Sequence, residues 1–417
     1  MVKVNNIVLN SIKDWFLKVC AQALKDSTLT AREKVEILST YGAIYQVLGQ
    51  YDKSLSFYRN AADLAKTIPS NDEQVATQLN SVALLLSEKG DYDGAIKLYE
   101  EPLTIWGNLL LTNEMASGLN NLAGFLRNKG NYDGAIKLVQ EALAIRKASL
   151  GDEHPNVATS LNNLAQLLSN KGEYDGAMKL QQEALAITKK SYGEEHPFVA
   201  TALSNLAHLL KMKGDYVGAE SLYHESLAIN KKALGDDHPT VAKVLNNFAV
   251  LLNAKKDRDG AIRLIREVLV IMKNNYGQEH PNAATTLNNL AELLRNKGDY
   301  SEAETLHREA LAIRKKSLGE HSDVAQSLNN LALLLKGKGD YDEAELLYRE
   351  AIAIGEKTLG RAHPEVATWL SNLARLLGDT GKKQEARQLG REAYLIDLKA
   401  LGPDHPQTKG HQYWTTF

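Results

Sequence analysis

The chain has 417 residues, 44% of them hydrophobic, more than a single compact core organises, so the options are several domains or a repeat array. Its 49 Lys and Arg stand against 51 Asp and Glu, and the formal charge of −2 gives no global attraction to nucleic acid or a membrane surface. The lone Cys20 excludes an intramolecular disulfide framework and a multi-cysteine zinc site; beside Val19 and Ala21 it reads as a small packed residue in a reducing compartment.

Residues 5–25, with Ile12, Trp15, Phe16 and Val19, predict an amphipathic helix that covers the exposed first unit of an array beginning at residue 31. Lys13 and Asp14 interrupt the apolar run before a signal-peptide core is long enough. No stretch approaches the roughly 18 consecutive apolar residues needed to span a bilayer, which predicts a cytoplasmic protein.

From residue 31 the chain repeats itself. Gly49, Gly90, Gly130, Gly172, Gly214, Gly298, Gly339 and Gly381 fall 40 to 42 residues apart once Lys256 is counted in the sixth place, which makes nine units. In the fourth, Leu161, Leu164, Ala165 and Leu168 mark one face of a first helix. Gly172 then suits a C-cap with positive φ, so Lys256 is expected to adopt positive φ in its own unit. Ala177, Leu180, Ala184, Leu185 and Ile187 mark a second helix, Gly193 its C-cap, and His196-Pro197 the start of the next pair. The predicted organisation is a capping helix over 1–30, nine antiparallel helix pairs over 31–402, and a tail over 403–417. That tail reads as a truncated next helix with Trp414 folding back on the ninth unit.

Small residues recur where two helices approach closely: Ala165 and its equivalents seven before each glycine, Ala177 and its equivalents five after it. Two after the glycine stands a tyrosine, as in Tyr174, except at Arg258 and Lys383. This pattern resembles the tetratricopeptide repeat and separates the chain from HEAT and armadillo arrays of similar period. The longer unit, with LNNLA in its first helix and loops such as LGDEHP, is similar to the repeat of kinesin light chains and related bacterial proteins. No heptad segment precedes the array, which sets it apart from heavy-chain binding. The resemblance implies an all-α solenoid wound as a right-handed superhelix, without catalytic activity or cofactor.

Six His-Pro pairs, at His154, His196, His238, His280, His363 and His405, recur once per stacked unit. Metal ligands must converge on one point within about 2 to 2.5 Å, so these pairs predict loop structure and helix capping and no metal site. Acidic pairs such as Glu194-Glu195 and Asp236-Asp237 precede helix N-termini, where negative charge is favourable, and predict no acid–base role. No phosphate-binding glycine loop or nucleophile elbow is present.

The surface left over is the face of each first helix opposite its packing stripe. By resemblance it lines a concave groove, in which the second asparagine of LNNLA grips the backbone of an extended peptide. The candidates are Asn121, Asn163, Asn205, Asn247, Asn289, Asn330 and Asn372; an amide offers both donor and acceptor. The competing expectation is that these asparagines bond between neighbouring first helices and hold the array. Specificity is expected from the variable position three residues on, which includes Gln166, His208, Glu292 and Arg375, with Lys243 among the flanking basic residues. The partner is expected to be a protein or peptide, not nucleic acid, since the aromatics occupy packing positions and leave no stacking platform. The chain itself is expected to be monomeric or weakly self-associating. Two rival functions are a self-assembling structural solenoid and an enzyme with its site in the groove.

Overall fold

The computed structural model describes residues 22, 27–47, 50–403 and 405–415. The expected capping helix, with Cys20, lies outside the described residues except for residue 22. Among the described residues every regular element is helical, and consecutive helices pair as an α-solenoid.

The pairs run α1 (Ala31–Val47) and α2 (Tyr51–Lys66), then α3 (Asp72–Glu88) with α4 (Tyr92–Leu98) and α5 (Glu100–Asn108). They continue as α6 (Thr112–Asn128) and α7 (Tyr132–Leu150), α8 (Pro155–Asn170) and α9 (Tyr174–Tyr192), α10 (Pro197–Lys213) and α11 (Tyr216–Leu234). Next are α12 (Pro239–Ala254) and α13 (Arg258–Tyr276), α14 (Pro281–Lys297) and α15 (Tyr300–Leu318), α16 (Ser322–Lys338) and α17 (Tyr341–Thr358). The last are α18 (Pro364–Asp379) and α19 (Lys383–Leu401), followed by the short α20 (Pro406–His411) and a 3₁₀ turn, Gln412–Thr415. The second helix of the second repeat is not continuous. Pro102 has no amide to offer Leu98, and the helix breaks at Tyr99 into α4 and α5.

The two small positions are buried throughout: Ala165, Ala207 and Ala291 on first helices and Ala177, Ala219 and Ala303 on second helices have at most 1% exposure. Where the first repeat carries Ser54 in place of alanine, its hydroxyl donates to Gly42 O at 2.7 Å, so the polar atom is satisfied inside the pair. Some tyrosines two past the turn glycine are less packed than the pattern suggests. Tyr216, Tyr300 and Tyr341 stand at helix N-termini and are exposed.

Each His-Pro histidine is an N-cap. The Nδ1 of His154, His196, His238, His280, His363 and His405 accepts the amide two residues on at 3.1 to 3.2 Å, and proline opens the helix where no donor is needed. His321, followed by serine, caps α16 in the same way.

The chain falls into two compact bodies. One comprises the described residues up to Gly130 with Ser317–Asn329 and the chain from Tyr341 onward; the other comprises Asn131–Lys316 with Asn330–Asp340. In the first body, tryptophans fill gaps opened by glycines on facing helices. A Cβ on Gly118 would lie 2.6 Å from Trp106, one on Gly355 would overlap Trp369, and one on Gly390 would overlap Trp414. Trp414 is 2% exposed, and its Nε1 donates to Ser371 Oγ at 3.2 Å. In the second body, α8 to α15 stack with Leu161, Leu245, Ile271 and Leu287 fully buried between them.

Candidate functional site

Helices α8, α10 and α12 of the second body start with the same His-Pro cap and end in the same turn, so their unpacked faces present equivalent residues side by side. Between them lies a cavity of about 330 Å³ lined by side-chain amides and hydroxyls: Asn162, Asn163, Gln166, Asn170, Gln181, Ser204 and Asn205, with His208 and Asn247. Its floor is buried and fixed. Gln181 is 2% exposed and donates to Ala202 O at 3.3 Å, while Ser204 shares a hydrogen bond with Ser226 at 3.3 Å.

The walls are not satisfied in the same way. Asn162 Oδ1 is buried and accepts no hydrogen bond, and such an atom forgoes its hydration without replacement. Asn205 and Asn247 are exposed and bond to no described residue. His208 is held below the ordinary histidine range by desolvation and by Lys211, which favours its neutral form. The cavity therefore offers neutral donors and acceptors, the inventory that an amide backbone matches.

The seven candidate asparagines do not behave alike. Asn121 donates to Asn80 Oδ1 at 3.2 Å and to the Tyr99 hydroxyl at 3.1 Å. Asn289 donates to Asn246 at 3.3 Å and Asn372 to Asn329 at 2.9 Å, so in these repeats the second asparagine reaches the first asparagine of the preceding repeat. Asn163 and Asn330 are half-buried and engaged. Of the variable residues, Gln166 and His208 line the cavity with Asn163, Asn205 and Asn247. Glu292 is tied to Arg295 at 2.9 Å, which holds its carboxyl below the usual range. Lys243 and Arg375 are exposed and outside the cavity lining.

Asn162, Gln181 and Ser204 are not singled out by the repeat pattern. A signal existed for Gln181, which stands nine past its turn glycine, where sister repeats carry Val139, Tyr223, Ile265 and Tyr348. A polar residue at that packing position needs a polar neighbour. His307 occupies the same place, 1% exposed, with Nδ1 2.8 Å from Asn288 Oδ1; burial depresses its pKa to about 4.

The tetratricopeptide repeat family profile matches residues 33–106, 114–190, 161–231, 198–274, 240–316 and 323–399. No curated protein sequence matches the chain. Among solved structures, BtubC (BKLC) from P. vanneervenii is similar at 23% identity over 55% of this chain and 89% of its own, with a TM-score of 0.43. A Podosopora anserina protein described as a putative kinesin light chain with nearly identical TPR-like repeats has 25% identity over 50% of this chain and 98% of its own, with a TM-score of 0.42. A Rap protein complexed with Competence and Sporulation Factor has 13% identity over 88% and 99%, with a TM-score of 0.48. Among the described residues no helix is long and apolar enough to cross a membrane, and no group of three His, Cys, Asp or Glu is arranged to hold a metal ion.

Proposed function

Because the chain belongs to the tetratricopeptide repeat family, we propose that it is a protein-interaction scaffold whose second body holds an extended peptide across α8, α10 and α12. The observation that carries this reading is the amide-lined cavity with an orphaned buried acceptor, Asn162 Oδ1, beside two unbonded asparagines, Asn205 and Asn247. A peptide backbone supplies an N–H and a C=O at every residue, and its amide would satisfy Asn162 without regard to side chain. Gln166 and His208 stand next to these amides and would read the side chains of the ligand. Ser204, one helical turn from His208 in the cavity lining, hydrogen-bonds to Ser226, and the reading needs neither cofactor nor reaction.

The asparagines then divide by role. Asn205 and Asn247 are the grip, whereas Asn121, Asn289 and Asn372 brace neighbouring helices. A display library of short unstructured peptides selected on the full chain would supply probes. Asn205→Ala with Asn247→Ala should weaken the selected peptides by about 1 to 3 kcal/mol, two hydrogen bonds' worth, and leave the melting curve in place. Selected peptides that bind the double variant as tightly as the parent would remove the groove from consideration.

A further inference from the structure

A second concavity lies in the first body. It has a volume of about 1240 Å³ and two unlike walls: the turn after α3, with Lys89, Gly90, Asp91 and Tyr92, and the outward face of α19. Beside Ala362 in its lining, His363 Nε2 donates to Glu88 O at 3.1 Å and the ring packs on Gly90, so the two walls are joined by contact.

The charges of this cleft are unbalanced. Its acids are already engaged: Asp91 accepts the Gly94 amide at 2.9 Å, Asp93 pairs with Lys129, and Glu392 pairs with Arg361 at 2.6 Å. Lys89 is likewise taken by Asp52. The side chains of Lys383, Arg391 and Lys399 bond to no described residue, and all three are exposed on α19 and line the cleft along the length of that helix. Between Arg391 and Lys399, one helical turn from each, stands Leu395, 60% exposed, with Ile396 beside it.

Sister repeats do not build this surface. In α15 and α17 the equivalent arginines are neutralised four residues back, Arg308 by Glu304 at 2.9 Å and Arg349 by Glu345 at 2.8 Å. In α19 the glutamate position holds Arg387, so Arg391 loses its partner. The result is an exposed leucine set between two cations that have no described partner, on a walled face.

We propose that this cleft is a second binding site, distinct from the asparagine groove, which takes an acidic chain segment bearing an apolar side chain. Carboxylates of the segment meet Arg391, Lys383 and Lys399, and its apolar side chain covers Leu395 and Ile396. The site attracts by charge, so binding weakens as salt rises.

The test uses the full chain and a fluorescein-labelled synthetic peptide of glutamates with leucine at every fourth position, read by anisotropy, with a glutamine-for-glutamate peptide alongside. The glutamate peptide should bind saturably and lose affinity with salt. Arg391→Glu with Lys399→Glu replaces two attractions by two repulsions and should weaken it by about tenfold or more. Both positions are exposed, so the melting curve serves as the check that the variant is folded. Asn205→Ala with Asn247→Ala should bind the probe like the parent, which separates this site from the groove. The inference is overturned by absence of saturable binding, by a glutamine peptide that binds equally well, or by a charge-reversed chain with undiminished affinity.

Discussion

At Lys256 the chain turns with φ 67° where sister repeats use glycine, for example Gly214 at 87° and Gly298 at 98°. A side chain at such φ costs about 1 kcal/mol, so Lys256→Gly should stabilise the protein by roughly that amount in chemical denaturation. A drop in stability would mean that the Lys256 side chain contributes more than its backbone strain costs. Glycines inside helices give the opposite lesson, because their neighbours differ. Gly355→Ala drives a methyl into the buried Trp369 ring and should cost about 1 to 3 kcal/mol. Gly124→Ala, inside α6 with open space around it, should gain about 0.5 to 1 kcal/mol through helix propensity. Equal effects from the two substitutions would show that the Trp369 contact is not tight.

Within each helix pair, most of what positions the groove is legible in one repeat of sequence. The glycine register, the alanines and the histidine before proline are local, and each is used as its chemistry predicts. What was not legible depends on partners far away in sequence. Which second asparagines bond to the preceding repeat is settled only in three dimensions: Asn289 reaches Asn246 and Asn372 reaches Asn329, whereas the side chains of Asn205 and Asn247 make no such bond to a described residue. The pairs of Trp106 with Gly118 and Trp369 with Gly355 are likewise invisible until two helices are brought together, whereas Trp414 is expected on the ninth unit and meets Gly390 and Ser371 there. A buried polar residue between helices also sets the response to pH. Burial holds His307 at about 4, against 6.5 for a free imidazole, with Glu292 opposing the shift and Arg295 adding to it. Between these values the unfolded chain binds a proton that the folded chain refuses, so stability falls as pH drops from 6.5 towards 4. The loss attributable to His307 should be on the order of 3 kcal/mol. His307→Tyr, which copies the Tyr99–Asn80 pairing of the second repeat, should flatten the melting temperature between pH 6.5 and 4.5. An unchanged pH profile in that variant would assign the loss to another group.

Along the whole chain, repeats are tied to their neighbours by ion pairs in register, such as Lys171–Asp133 at 2.8 Å, Lys213–Asp175 at 2.6 Å and Lys297–Asp259 at 2.6 Å. These are exposed pairs of small individual worth, and an array held only by neighbours would be a one-dimensional chain in which distant repeats ignore one another. The first body departs from that. His363 reaches Glu88 O across 275 residues, and Gly130 lies against His405. His363 makes both of its bonds only as the neutral Nε2–H tautomer: Nδ1 accepts the Glu365 amide, which leaves the proton on Nε2 for Glu88. Removing the imidazole should therefore loosen a turn that is remote in sequence. In His363→Ala, amide exchange at Gly90 and Asp91 should rise several-fold, as expected for one lost hydrogen bond of about 0.5 to 1.5 kcal/mol. His280→Ala removes the same kind of helix cap from α14 in the second body and should leave Gly90 and Asp91 unchanged. If both variants raise exchange there equally, the effect is general destabilisation from a lost cap. If neither does, the His363 contact contributes nothing to holding the two ends of the first body together.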